Sequence, residues 1–494
     1  MRGSGISDPF SSLSLPSKTE NNKSYFFISL CCCLPLLYLA WVNRHYQLDD
    51  ALIYLRYVRN FLNGEGLVYN EGVYFNGLTS SFYSYLLILA GVLISDLQVA
   101  TILLAALLHA SALLVLSETF FAKRPLAARC LFIILAGTFP YFFLTYGMET
   151  PLFILLIGLS LYCYQIEKFF WLGLFSGLLI LTRAEGIFLI ATFLGGYLIK
   201  YRRLPDYRYF IIPLIFIAVN LLFNKWYYGA FLPATGSAKL GQGQSGLWGD
   251  GWLFLDFGYL SRLIFGANHF YLFTVLTLAA LGFSTSIRLP ENRETHFIVL
   301  AFLISYSCFY LLLNIPNYHW YYAPYFIFMM IYCTEGLFLT GTSLVAIFHA
   351  PRWLSYLPLL LLAPVLIYWA SGISARAREP FKPYKDIGIW LNQNTEQTTQ
   401  IAMVEIGIIG WYSNRPIIDI LGLVNPLNAR FIGERKFAEW LKHYSPDLIL
   451  IHDPAWPHEV GAVNALAAGR FEPDPRFDFP NYRLLRKTLT AQPP

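Results

Sequence analysis

Residues 46–81 read YQLDDALIYLRYVRNFLNGEGLVYNEGVYFNGLTSS, and their reading decides how the rest of the chain is organised. They follow an apolar run, Tyr25 to Val42, that is long enough to span a bilayer. An acidic pair, Asp49 and Asp50, stands just beyond that run. Carboxylates at a membrane face are costly to hold and point to function. Asp49 suits a helix N-cap, and Ala51, Leu55, Val58 and Leu62 share one face at helical spacing, with Arg56, Arg59, Asn60 and Asn63 elsewhere. The pattern predicts an amphipathic helix over 50–63 lying on the outer membrane surface, with Gly64 just past its end. Asn70-Glu71-Gly72 and Asn76-Gly77 are turn signals.

The composition fits that setting. Of 494 residues, 56% are hydrophobic and 13% charged, which excludes an ordinary soluble domain. The many aromatics (34 Tyr, 41 Phe, 12 Trp) suit interfacial belts. The net charge of +5 sits in short loops and reads as an orientation signal, so no nucleic-acid partner is expected. All seven Cys fall in or beside apolar segments, with no disulfide or zinc spacing.

Further apolar segments fall at roughly 81–95, 98–120, 128–146, 150–166, 169–182, 185–200, 207–227, 268–287, 295–314, 320–342 and 353–372. Basic loops at 121–129, 200–208 and 288–293 set the inner side. Parity then makes 81–95 an interfacial or dipping segment and leaves about eleven spans. From 373 the charge, Pro, Asn and Gln content rises. KDIGIWLNQNT and FAEWLKHY read as helices; QIAMVEIGIIGWYS and RPIIDILGLV as β-rich runs around a turn at Asn414; PDLILIHD as a buried strand. The expected fold is a polytopic α-helical membrane protein with a C-terminal periplasmic α/β domain. Its parts are a disordered cytoplasmic N-terminus (1–24), a membrane domain (25–372) with an outer loop at 43–80, and the α/β domain (373–494).

Several clusters fall on the one outer face. Glu149 lies in Gly147-Met148-Glu149-Thr150-Pro151, where Thr150 and Pro151 open a helix. Arg183 and Glu185 flank Ala184 between two apolar runs, as an ion pair at a bend or as groups that meet a phosphate. Tyr228 and Lys239 belong to a loop, KWYYGAFLPATGSAK, that ends in a cation suited to a lipid phosphate. His319 stands in NYHWYYAP and is a second phosphate candidate.

Taken in order, LDDALIYLRYVRNFLNGEGLVYNEG, NGLTS, GMETPLF, LTRAEG, YYGAFLPATGSAK and WYYAP resemble the GT-C class of integral membrane glycosyltransferases, in the branch that holds the mycobacterial terminal arabinofuranosyltransferase. DIGIWL and IIDILGLVNP resemble that branch's periplasmic domain. Ala184 and Ala234 stand where the resemblance leads one to expect Pro and Asn. It implies an inner-membrane, multi-pass enzyme that uses a polyprenyl-phosphate sugar donor on the periplasmic face. The acceptor would be an envelope glycan, lipid or protein, and the surroundings membrane lipids. It also implies a base in the first outer loop, at Asp49 or Asp50, and gives Asn76 and Thr79 of NGLTS, with Tyr228, a place near the substrate. The leaving lipid phosphate calls for a cation from Lys239, Arg183 or His319. One base without a covalent intermediate inverts the anomeric centre. The Asp49–Asp50 pair also suits a divalent cation held on the phosphate, and the sequence does not decide whether a metal is required. The alternatives are a flippase of lipid-linked sugars and a surface polysaccharide polymerase or ligase. Ionisable residues crowding one face, and the lack of an internal repeat, speak against a transporter.

Overall fold

A computed structural model describes residues 21–46, 48–256, 258–259, 269–289, 293–347, 351, 362–376 and 382–488. Most of the N-terminal segment read as disordered, and residues 353–361 of the apolar run 353–372, lie outside the described residues. Each of the twelve apolar segments appears as helix where it is described. Six helices are long and apolar enough to cross a membrane: Ser24–Val42, Leu97–Phe121, Leu126–Leu144, Ile211–Tyr228, Arg293–Leu312 and His319–Ser343. Six more are apolar but shorter: Ser81–Leu93, Thr150–Gln165, Phe169–Thr182, Gly186–Tyr201, Phe273–Ser286 and Ala363–Ser374. At 1.5 Å per residue a 16-residue helix covers about 24 Å, less than a full hydrocarbon core. Length and composition alone therefore support six of the expected eleven spans among the described residues.

The chain after Lys382 forms a five-stranded sheet with strand order β2-β1-β3-β5-β4. The strands are β1 (Ile401–Met403), β2 (Ile417–Asp419), β3 (Leu448–His452), β4 (Phe471–Pro473) and β5 (Tyr482–Lys487). β1 runs parallel to β2 and β3, whereas β5 is antiparallel to β3 and β4. Side chains alternate across the sheet. Ile401, Met403, Leu448 and Leu450 join the core shared with the membrane helices, and Ala402, Val404, Ile449 and Ile451 face a second core with Trp440. Burial on both faces explains why these strands read as unbroken apolar runs. FAEWLKHY forms only a 3-10 turn, Glu439–Lys442, and half of QIAMVEIGIIGWYS is a short helix, Ile408–Ser413. Asn414 is left-handed at φ 49°, as its turn requires.

The Asp49–Leu62 helix departs from its expected setting. Ala51 to Val58 are all buried, so it does not lie on a membrane surface. It is wedged between Ser81–Leu93 and Ile408–Ser413. Its polar side chains face protein, not water. Arg56, 4% exposed, donates to the carbonyls of Tyr69 (2.8 Å), Gly410 (2.8 Å) and Arg415 (2.6 Å), and its guanidinium sits 4.2 Å from the Tyr69 ring. Asn70 exchanges hydrogen bonds with both backbone groups of Ile417 (2.7 and 2.9 Å). Gly407 is needed for this docking, because a Cβ there would collide with the Asp49 carbonyl.

Arg56→Met keeps the bulk and removes the donors, leaving buried carbonyls unpaired at a cost of about 3 kcal/mol or more. Hydrogen exchange should then quicken in Ile408–Ser413 and in β2 while the membrane helices stay protected. Unchanged exchange there would contradict the docking role.

Candidate active site

Successive residues of a helix point about 100° apart, so the first turn of Asp49–Leu62 sends its two carboxylates in different directions. Asp49 does not cap its own helix; Leu48 holds that position without a side-chain bond. The Asp49 carboxylate instead accepts the backbone amides of Ile408 (2.6 Å) and Gly407 (3.2 Å), at the start of the short helix after β1. Asp50 faces a cavity of about 200 Å³. Burial raises the Asp49 pKa to about 7, with the Ile408 amide opposing and the Asp50 charge adding to it. Burial also raises Asp50, and the Lys239 ammonium partly offsets this.

The cavity gathers residues from seven parts of the chain. Its charged lining is Asp50, Glu149, Arg183, Glu185 and Lys239; Tyr54, Thr79, Tyr310, Trp320, Tyr321 and Leu423 are among the remaining walls. Helix starts explain part of this: Thr150–Gln165 begins just after Glu149, and Gly186–Tyr201 just after Glu185. Both readings of Arg183 offered by the sequence now have geometry. It pairs with Glu149 (2.7 Å) and Glu185 (2.9 Å), and it also lines the cavity. Tyr54 donates to Glu149 (3.2 Å) and receives the Ser80 amide (3.0 Å). Tyr310 receives a hydrogen bond from Arg183 (3.1 Å) and donates to Glu185. Arg183 is 3% exposed, and its Nε alone lacks a partner. Lys239 rests over the rings of Tyr318 (4.1 Å), Trp320 (5.0 Å) and Tyr321 (5.4 Å), leaving its ammonium to the cavity.

Three expected contacts are turned away from the cavity lining. The His319 ring lies 3.4 Å from the Leu144 carbonyl. The Tyr228 hydroxyl donates to the Leu67 carbonyl (2.9 Å). The Asn76 side chain meets Asn224 (3.2 Å) and the Leu78 amide (3.0 Å). These local partners close loops around the site. Thr79 does line the cavity. Tyr54 and Tyr310 are not singled out by sequence. Among the described residues no group of three or more His, Cys, Asp or Glu side chains is placed to hold a metal ion. With Asp49 engaged by amides, the residues present do not fit the divalent site expected of the pair, and no step below passes through a metal.

Comparison with known proteins agrees with this architecture. The crystal structure of ArnT from Cupriavidus metallidurans bound to undecaprenyl phosphate matches with a TM-score of 0.60 at 12% identity, over 96% of this chain and all of that one. The fold is GT-C-like. The archaeal oligosaccharyltransferase AglB from Archaeoglobus fulgidus, in complex with an inhibitory peptide and a dolichol-phosphate, matches with a TM-score of 0.54 at 13% identity, over 95% of this chain and 74% of that one. The oligosaccharyltransferase of the same organism in complex with Zn and sulfate gives 0.51 at 14% identity, over 87% and 68%. By sequence, the terminal beta-(1->2)-arabinofuranosyltransferase of Mycobacterium tuberculosis is 27% identical over 245 residues, 44% of this chain. The match spans only 38% of that relative's length. Residues 373–491 match a family described as "Domain of unknown function (DUF8728)".

Glu149→Gln strips one of two carboxylates from a buried guanidinium. The expected loss is about 3 kcal/mol or more, read as a lower melting temperature of the purified protein. An unchanged melting temperature would show that the pair carries no structural load.

Proposed function

We propose that this protein is a membrane glycosyltransferase that moves a sugar from a polyprenyl-phosphate donor to a cell-envelope glycan, lipid or protein acceptor. The site faces the periplasmic side of a bacterial inner membrane. The observation that carries this reading is the convergence of Asp50 and Lys239, a carboxylate and a cation from segments far apart in sequence, on one cavity. The neighbours' undecaprenyl phosphate and dolichol-phosphate support a lipid phosphate as the leaving group.

The chemistry follows from charge. When the anomeric carbon–oxygen bond breaks, its electron pair leaves on the lipid phosphate. That dianion needs neutralising more than protonating, because its second pKa is about 6. Lys239 supplies the cation, and its aromatic cradle keeps the ammonium from wandering. Arg183 lines the cavity beside it, held in place by Glu149 and Glu185. Those two carboxylates thus act as positioning groups in this reading. Asp50 accepts the proton of the attacking hydroxyl, and burial makes it a stronger base than a solvated carboxylate. Asp49, occupied by two amides, sets the direction of Asp50. With a single base the displacement inverts the anomeric centre.

Asp50→Asn should lower kcat about 10²–10⁴-fold with little change in the donor KM. Lys239→Gln should instead raise the donor KM. The base must be ionised and its pKa is raised, so activity is lost as pH falls, at a pH above the ordinary carboxylate value of about 4. Full activity of Asp50→Asn in a donor-consumption assay would exclude it as the base.

A further inference from the structure

The run IIDILGLVNP, residues 417–426, begins as β2 at one edge of the sheet and then leaves it. Its carboxylate is turned inward. Asp419 is fully buried and accepts the backbone amides of Leu421 (2.8 Å), Leu423 and Val424 (3.0 Å). Its own amide donates to the Asn425 side chain (2.7 Å), and the Asn428 side chain donates to its carbonyl (2.7 Å). One residue thus ties down the whole of the loop 420–428. Hydrogen bonds to an ionised carboxylate are strong and directional, so the loop amides are fixed in place. Gly422 permits the turn: its φ is 84°, and a Cβ there would collide with the Ala429 amide.

The loop reaches the cavity. Leu423 lines it together with Gly77, Thr235 and Lys239. A Cβ on Gly77 would come within 2.7 Å of the Leu423 carbonyl and 2.9 Å of the Val424 side chain, so the loop lies directly on the NGLTS turn. The helix that follows, Asn428–Gly433, packs on Ala234–Ser245, the helix that carries Lys239. A Cβ on Gly241 would collide there with the Ala429 carbonyl. The circuit closes where the Ala234 amide donates to the Asn76 carbonyl (2.8 Å). Leu423 is therefore held between the NGLTS turn and the Lys239 helix. Its amide is turned to Asp419 and its carbonyl to Gly77, and the half-buried residue faces the cavity.

We propose that Leu423 is a specificity-determining residue that sets the size of the donor sugar, and that Asp419 is the positioning residue that delivers it; both roles rest on the function proposed above. The cavity, about 200 Å³, has the volume of about seven waters at ~30 Å³ each, room for one sugar ring and not for a chain of them. The ring is joined to the phosphate that Lys239 meets, so it lies against the walls that Lys239 and Leu423 share. The charged lining serves the ring hydroxyls. An aliphatic side chain offers them no hydrogen bond and acts by volume alone. A pentose and the hexose of the same ring configuration differ by one hydroxymethyl group, and an apolar wall discriminates a group of that size about 10–200-fold.

The test measures donor consumption by full-length protein in detergent. The donors are polyprenyl phosphates carrying a pentose or the hexose of matching configuration, each as pyranose and as furanose. Leu423→Ala should raise the hexose-to-pentose ratio of kcat/KM about tenfold, and Leu423→Phe should lower it by a similar factor. Leu423→Met, of similar volume, should keep the wild-type ratio. Asp419→Asn should move the ratio toward that of Leu423→Ala, because the wall is no longer held. A wild type that consumes one of these donors, with the ratio unchanged in Leu423→Ala and Leu423→Phe, overturns the size-setting role alone. Equal losses on every donor in Asp419→Asn, or a variant that does not fold, mark Asp419 as structural and overturn its positioning role. A wild type that consumes none of these donors overturns the functional reading and this inference with it.

Discussion

The Asp49 carboxylate, accepting the amides of Gly407 and Ile408, is the constraint on which the arrangement depends. It ties the first turn of an outer-loop helix to a segment more than 350 residues later. A half-buried carboxylate is tolerated there because backbone donors meet it. The same clamp, reinforced by Arg56 on the carbonyls of Gly410 and Arg415, fixes the helix rotation. Asp50 is then left facing the cavity. The role of one aspartate is a consequence of how its neighbour is used.

Charge balance accounts for the rest of the cavity. Arg183 is neutralised by two carboxylates, which leaves Lys239 and Asp50 as the groups whose charge is not already consumed by a close ion pair in the lining. Opposite charges at two sides of a small cavity match the two demands of the proposed reaction, a proton to remove and a phosphate to neutralise. Tyr54 and Tyr310 extend the Arg183 network into the Asp49–Leu62 and Arg293–Leu312 helices, so the site is braced from both.

The helical segments were legible because an apolar run of bilayer length has few other readings. The acidic pair was legible because carboxylates beside a span demand a reason. The setting of the Asp49–Leu62 helix was not. Ala51, Leu55, Val58 and Leu62 give a true apolar stripe, but Arg56 on the opposite face meets backbone carbonyls, and sequence cannot tell those from water. For the same reason the cap of Asp49 was assigned to its own helix when it belongs to Ile408–Ser413. Arg183, Glu185 and Lys239 reach the cavity as their short, turn-rich motifs suggest. His319, Tyr228 and Asn76 share the same outer loops yet are consumed by Leu144, Leu67 and Asn224, partners that no local pattern announces.

The most direct measurement is a structure of the protein with a polyprenyl phosphate bound. The account predicts the phosphate between Lys239 and Arg183, inside the cavity and facing Asp50. A phosphate seated at the opposite end of the helices, near Lys200 and Arg203, with the cavity empty, would contradict it.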